Sequence, residues 1–431
     1  MNLQPIGVSN RLFYYLCGGE HSAFDICFRF DFKEEIDAEL LQASAAKALQ
    51  NFPEFAIRPV IHEGTVWAMA NDVPVPLLSA DDRILCYGTE DTGGYLFVFR
   101  LFRHGFFFSY FHGMTDFHGA WGFMRTVLYY YALAKGVDVQ ADEFVCLAPD
   151  STMDESERLD PYRKFMEESK ESVFPAALAI SEKSYPPEEP KCSGYEIRCS
   201  LKDVLAAAKA QKTSVAAWIS LVAARTIDDL YHAGEKPIVA MVSADMRKYY
   251  HTATEVNFSD AVFLRYDGKL KELPPEEQGA VLKEQLREQM SREHFAPLIA
   301  RKATRVDEVC HSGPDIVQWN QRIAGAGQQE KNSITFSLTY PGSLDLPMEY
   351  RFLVGEITRL ICVHGPGLGN FGISASSYGD TMYIRSCQRF DSPAIMRGIR
   401  EELAKNGLAA TFLELPAYRG NQMMTGKLMH V

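Results

Sequence analysis

Several features that would place a protein at once are missing here. No apolar stretch of the 431 residues approaches the roughly 20 residues that cross a bilayer as a helix. Cysteine is sparse, nine in all. The number is odd and no two cysteines have C-x-x-C spacing, so reduced thiols in a cytosolic protein are expected rather than a disulfide framework. The segment Met1 to Asn10 has neither the basic start nor the apolar run of a secretory signal, which agrees with a cytoplasmic location. Positive charge is in deficit: 44 Lys and Arg against 56 Asp and Glu leave a formal charge of -12. That balance disfavours nucleic acid and anionic membrane surfaces as partners and leaves a small anionic co-substrate open, since that needs only a local basic patch. No G-x-S-x-G elbow occurs, which weakens a serine hydrolase. Gly365-Pro366-Gly367-Leu368-Gly369 lacks the Lys-Ser/Thr of a phosphate loop and reads as a turn.

What is present is ample material for large cores, 47% hydrophobic with 12% aromatic. A chain this long rarely closes around a single core, so two lobes are expected. The alternation of Phe28 to Phe32 predicts a strand, and Leu40, Leu41, Ala45, Ala48 and Leu49 predict a helix over 37–50 with Asp37 as its cap. A strand from Phe55 to Val60, a turn at Glu63-Gly64 and a strand at Val66 to Met69 follow. From Asp150 to Lys191 acidic residues and prolines suggest a surface crossover, with a short helix near Pro161 to Lys170, and this places the lobe boundary at 175/176. Beyond it come a strand at Tyr195 to Cys199, a helix from the Ser200 capping box through Ala210, and an apolar buried helix over 214–231. A β-branched strand over 238–243 and a hairpin turning at Tyr378-Gly379-Asp380 come next, and the last helix is Pro393 to Lys405 with Ser392 as its cap.

The most informative run is Phe106-Phe107-Phe108-Ser109-Tyr110-Phe111-His112-Gly113-Met114-Thr115-Asp116. Tyr95 to Phe111 reads as an aromatic hairpin turning near Arg103-His104-Gly105. His112 stands at its end, and Gly113 lets the chain bend. A helix with Trp121, Met124, Leu128 and Tyr131 on one face starts after Asp116. A histidine delivered by a strand to a glycine turn is placed to face a cleft, and its ordinary pKa suits a general base. The alternative is a satisfied histidine with Asp116 as a helix cap. His112 and Asp116 as metal ligands fit poorly, because Gly113 argues against a helix through the stretch.

The order strand, His, turn, Asp, helix resembles the H-x-x-x-D-G signature of the CoA-dependent acyltransferase superfamily. That group includes chloramphenicol acetyltransferase, the condensation domains of peptide synthetases and bacterial alcohol acetyltransferase-like proteins, the last being nearest in pattern. Ala244-Asp245-Met246-Arg247 and Val256-Asn257-Phe258 are similar to its strand-then-Asp-x-Arg element and the asparagine segment after it, and the late hairpin looks like the one that bridges its lobes. Two positions depart: Phe111 stands where the family has a first histidine, and Phe117 where it has a glycine.

The resemblance implies an α/β (α+β) fold of two chloramphenicol-acetyltransferase-like lobes in a V, residues 1–175 and 176–431, with a channel between them. It implies His112 as the general base, with Gly113, Asp116 and Arg247 structural at the active site and Arg247 paired to Asp116. Acyl-CoA (acetyl-CoA) would be the co-substrate, a small hydroxyl or amine compound the acceptor, and no metal would take part. Tyr110, Phe117 and Trp121 either line the substrate channel or fill the lobe core. A freestanding condensation-type enzyme using a carrier-protein thioester is one alternative, and a non-catalytic homologue that binds a small molecule is the other.

Overall fold

The computed structural model describes residues 3–149, 153–168, 176–186, 188–189, 191–313, 315–325, 333–364 and 369–431. The residues 171–175 on which the expected lobe boundary falls lie outside these, as do 365–368 of the glycine-rich turn.

The first lobe is organised by aromatic strands. Ala23–Phe32 pairs antiparallel with Gly105–Phe111, which pairs in turn with Phe97–Phe102 through the expected turn. Because side chains alternate across a strand, Phe28, Phe30, Phe106, Phe108 and Tyr110 all fall on one face, each fully buried. Against that face lie the helices Ala38–Leu49, capped by the Asp37 side chain on the Leu40 N–H at 3.0 Å, and Phe117–Ala134. Each phenylalanine buried this way contributes about 2–3 kcal/mol relative to exposure. A smaller sheet of Leu3–Pro5, Thr65–Ala70 and Ile57–His62 flanks this core. Ile57–His62 starts two residues later than the sequence suggests, because Phe52 to Phe55 close a turn, with the Phe55 N–H on the Phe52 carbonyl at 3.0 Å.

The second lobe is a seven-stranded mixed sheet. In spatial order its strands are Ser259–Tyr266, Ile238–Asp245, Phe336–Thr339, Phe371–Tyr378, Thr381–Gln388, Lys191–Ser200 and Ala410–Arg419. The helix Val215–Tyr231, capped by Ser214, packs on it with Trp218 and Leu221 fully buried, and Ala394–Lys405 lies beside that helix. The last helix starts at Pro393 without a side-chain cap; Ser392 reaches only the Ala394 N–H at 3.4 Å. The crossover carries two short helices, Glu155–Leu159 and Pro161–Lys164, the second ending well before Lys170.

The lobes are not cleanly sequential. The strand Val354–His364 leaves the second lobe and pairs along its length with Ala23–Phe32, becoming the edge of the first lobe's five-stranded sheet. The bridge is therefore this strand and not the late hairpin, both of whose strands stay in the seven-stranded sheet. The hairpin cannot cross because Phe371, Ile373 and Ala375 on one of its faces are committed to the second core. Met429–His430 also returns to the first lobe, pairing with Ile57–His62. Among the described residues no helix is long and apolar enough to cross a membrane.

Asp25 joins the lobes at their seam. It is fully buried and accepts from the hydroxyls of Tyr87 in the first lobe and Tyr418 in the second, and from the Asn421 N–H at 3.2 Å. Burial pushes its carboxyl up to about 6, against these hydrogen bonds that favour the charged form. With the folded pKa above the unfolded one, the folded state holds more protons in that interval. The contribution of Asp25 to stability is therefore full below about 4 and is lost as pH rises to 6. In urea titrations at pH 4, 5, 6 and 7, Asp25→Asn should gain on the native protein as pH rises. Curves that stay parallel over that range would show that Asp25 carries no such load.

Candidate active site

The backbone first sets the histidine loop. After Phe111 the chain keeps one more sheet bond, the His112 N–H on the Phe24 carbonyl at 3.0 Å, then turns, with the Met114 N–H on the Phe111 carbonyl at 2.9 Å. A Cβ on Gly113 would stand 2.2 Å from the Phe111 ring, which is fully buried and cannot yield. Gly113 is thus required by close packing.

His112 is held on two sides by rings that the sequence reading did not name. Phe13 stacks on it with centroids 4.4 Å apart, and Phe24 meets it edge-on at 4.6 Å. Its Nδ1 lies 3.0 Å from the Thr115 carbonyl oxygen. A carbonyl only accepts, so Nδ1 carries the proton and Nε2 keeps its lone pair. The Asn257 side-chain nitrogen is 3.3 Å from both Nδ1 and the His112 carbonyl. With Nδ1 protonated, its hydrogen bond goes to the carbonyl, and its Oδ1 accepts from Ser259 Oγ at 3.1 Å. Withdrawal from water outweighs the Thr115 bond and the Asp116 charge and brings the imidazole down to about 4. It is neutral at cellular pH.

Asp116 does a different job. Both its oxygens take the Arg247 guanidinium in a fork, Oδ2 to Nη1 at 2.9 Å and Oδ1 to Nη2 at 3.0 Å. Oδ1 also accepts from the His118 N–H at 3.0 Å, capping the helix Phe117–Ala134, and Oδ2 from the Phe258 N–H at 2.8 Å. Arg247 places its other donors on the Thr254 carbonyl at 2.7 Å, the Val256 carbonyl at 2.8 Å and Asp245 at 3.0 Å. All five guanidinium N–H groups are used. Both side chains are buried, at 3% and 5% exposure. Burial alone would raise the Asp116 pKa, but the Arg247 charge prevails and holds it below the usual carboxylate value. Cap and ion pair, which from sequence are rival roles for Asp116, are filled together. Its lone pairs are taken by N–H donors, so it is unsuited to ligate a metal or to carry protons.

The segment after Arg247 completes the closure. Thr115 Oγ1 donates to the Glu255 carbonyl, and a Cβ on Gly119 would stand 2.1 Å from that same oxygen. Gly119 is what lets the first lobe's helix approach the second lobe's backbone, and Phe117 fits where the family has glycine because the close approach lies two residues on. Burial pushes the Glu255 carboxyl up to about 8, and its Oε2 has no hydrogen-bond partner.

The aromatic residues divide unequally. Tyr110 and Trp121 are 0% and 2% exposed, inside the first lobe's core, so they do not form a channel wall. Phe117 alone of the three is half-buried, stacking on Trp121 at 6.0 Å. The strand alternation that aligns Tyr110 with His112 also aims it at the helices. Two cavities lie nearby. The larger, ≈ 780 Å³ between the lobes, has no residue of the histidine loop in its wall. The smaller, ≈ 320 Å³, has Gly113 and Met114 in its wall, with Asn10, Tyr14, Arg158 and Val256 around them, and it is the one beside the candidate chemistry.

No protein-family model and no curated protein sequence matches the chain. Solved structures do. Polyketide synthase associated protein 5 from Mycobacterium tuberculosis is 14% identical, with a TM-score of 0.61 over 94% of this chain and 97% of that one. The epimerization domain from the third module of tyrocidine synthetase B is 12% identical, with a TM-score of 0.63 over 94% and 96%. F. sporotrichioides TRI101, solved with coenzyme A and T-2, is 12% identical, with a TM-score of 0.60 over 96% and 100%. The chain therefore shares the fold of these structures, a pseudo-dimeric pair of chloramphenicol-acetyltransferase-like lobes.

Removing one member of the buried pair leaves an uncompensated charge. Arg247→Met should cost about 3–5 kcal/mol in urea unfolding, and Asp116→Asn combined with it much less than the sum of the two. Additive losses would mean that the two residues are not energetically paired.

Proposed function

We propose that the protein is an acyltransferase that moves an acyl group from a CoA thioester to a hydroxyl or amine of a small acceptor, with His112 as general base. The observation that carries this reading is the state of His112: neutral, with Nδ1 fixed on the Thr115 carbonyl and Nε2 left to accept a proton. The acceptor oxygen or nitrogen attacks the thioester carbonyl as Nε2 takes its proton. The tetrahedral intermediate collapses, the carbon–sulfur bond breaks, and His112 returns the proton to the departing thiolate. No covalent enzyme intermediate is needed. Asp116 and Arg247 hold the loop and are positioning residues.

CoA as donor is supported by the neighbours solved with it. The small cavity beside Gly113 and Met114 suits one apolar group of acceptor or acyl chain.

The test follows free thiol released from acetyl-CoA across a panel of alcohols and amines. His112→Ala should lower the rate by about two to four orders of magnitude with the fold unchanged. Because the base works only when neutral, the limb of kcat/KM due to His112 should lie near pH 4, well below the 6.5 of an ordinary histidine, and disappear in the variant. Release at the native rate by His112→Ala would sink the mechanism.

A further inference from the structure

Arg359 is a buried cation near the candidate site whose charge no carboxylate among the described residues answers. It lies on the crossing strand Val354–His364, opposite Phe28, at 3% exposure. Its Nε and Nη1 have no hydrogen-bond partner, and among the described residues no carboxylate pairs with it. Its guanidinium lies 5.5 Å from the centroid of Phe117 and 6.0 Å from that of Phe28. Ring faces attract a cation weakly and do not replace hydrogen-bond acceptors. The contrast with Arg247, equally buried and with every donor used, is direct. Burial depresses the Arg359 pKa, in keeping with the missing counter-charge.

Its placement points to a ligand. Phe117, beside it, is half-buried next to the histidine loop. Arg385 ties the Arg359 carbonyl to the second lobe at 3.3 Å, and Ser374, in register with Arg385, has a hydroxyl that is also buried and unpartnered. Ser374 shares its strand face with Tyr378, which packs against the first lobe. Along Ala23–Phe32, Arg359 stands at the level of Phe28 and His112 at that of Phe24. Four residues of strand separate them by about 13 Å. At that distance the guanidinium anchors a remote part of the substrate and does not serve the oxyanion at the reacting carbon.

We propose that Arg359 is a recognition residue that binds a carboxylate carried by the acceptor, its apolar body lying toward Phe117. This rests on the acyltransferase reading, but its test does not depend on turnover. Equilibrium binding of phenylacetate and of its neutral twin phenylacetamide is measured by calorimetry on the full chain. The native protein should bind phenylacetate at least about tenfold more tightly, and Arg359→Met should abolish that preference. The melting temperature of Arg359→Met should hold or rise, because an uncompensated buried charge has been removed; loss of a structural ion pair would lower it. Should Arg359→Met fail to fold, Arg359→Lys supplies the comparison, and it should keep the preference for the anion. Equal affinity for the two probes, binding of neither, or a preference that survives Arg359→Met overturns the proposal. His112→Ala should bind phenylacetate as the native protein does. Thiol release judges the acyl-transfer reading and probe binding judges Arg359, so each can fail alone.

Discussion

The buried fork between Asp116 and Arg247 is the contact on which the rest of the site depends. It joins the loop of one lobe to a short helix of the other, out of water. A buried ion pair of this kind is rarely stabilising against an apolar alternative of the same shape. What it supplies is definition. Asp116 caps the helix Phe117–Ala134 from one oxygen and takes the Phe258 N–H on the other, while Arg247 gathers the carbonyls of Thr254 and Val256. Helix start, loop and opposing segment are thereby locked in a single arrangement.

That arrangement prepares the histidine. With the loop fixed, the Thr115 carbonyl stands at the right distance to hold the Nδ1–H of His112, and Asn257 secures the His112 backbone oxygen. Phe13 and Phe24 exclude water from the ring faces and lower its basicity. A lower pKa makes a weaker base but keeps it unprotonated throughout the cellular range. Beyond holding the loop, Asp116 acts on His112 through space, as a nearby negative charge that opposes the desolvation.

The crossing strand ties the two lobes as covalent continuity alone could not. By pairing with Ala23–Phe32 along its length it makes the first lobe's sheet incomplete without a piece of the second. It also carries Arg359 into the first lobe's aromatic face, where no carboxylate among the described residues meets it. Asp25, beneath the same sheet, is the opposite case: an acid surrounded by neutral hydroxyl donors, raised toward protonation by burial.

Much of this was legible from local pattern. Helix caps at Asp37 and Ser200, the aromatic hairpin before His112, and the pairing of Asp116 with Arg247 follow from residue type, spacing and family resemblance, because each depends on chemistry a few residues wide or on a motif that travels intact. The late hairpin was read correctly as a hairpin and wrongly as the bridge, since strand periodicity says which face is apolar and not which sheet will accept it. Tyr110 and Trp121 neighbour the histidine in sequence, yet both are buried where the strand face meets the helix Phe117–Ala134. Phe13, Phe24 and Arg359 left no local signal, being brought to the site by pairings between distant strands and a helix far from the motif. The sequence by itself determined the elements and the identity of the histidine loop. Only the tertiary structure decided which rings enclose His112, which of its nitrogens is free and which buried charge is unanswered, because burial and hydrogen-bond satisfaction are properties of surroundings assembled from the whole chain.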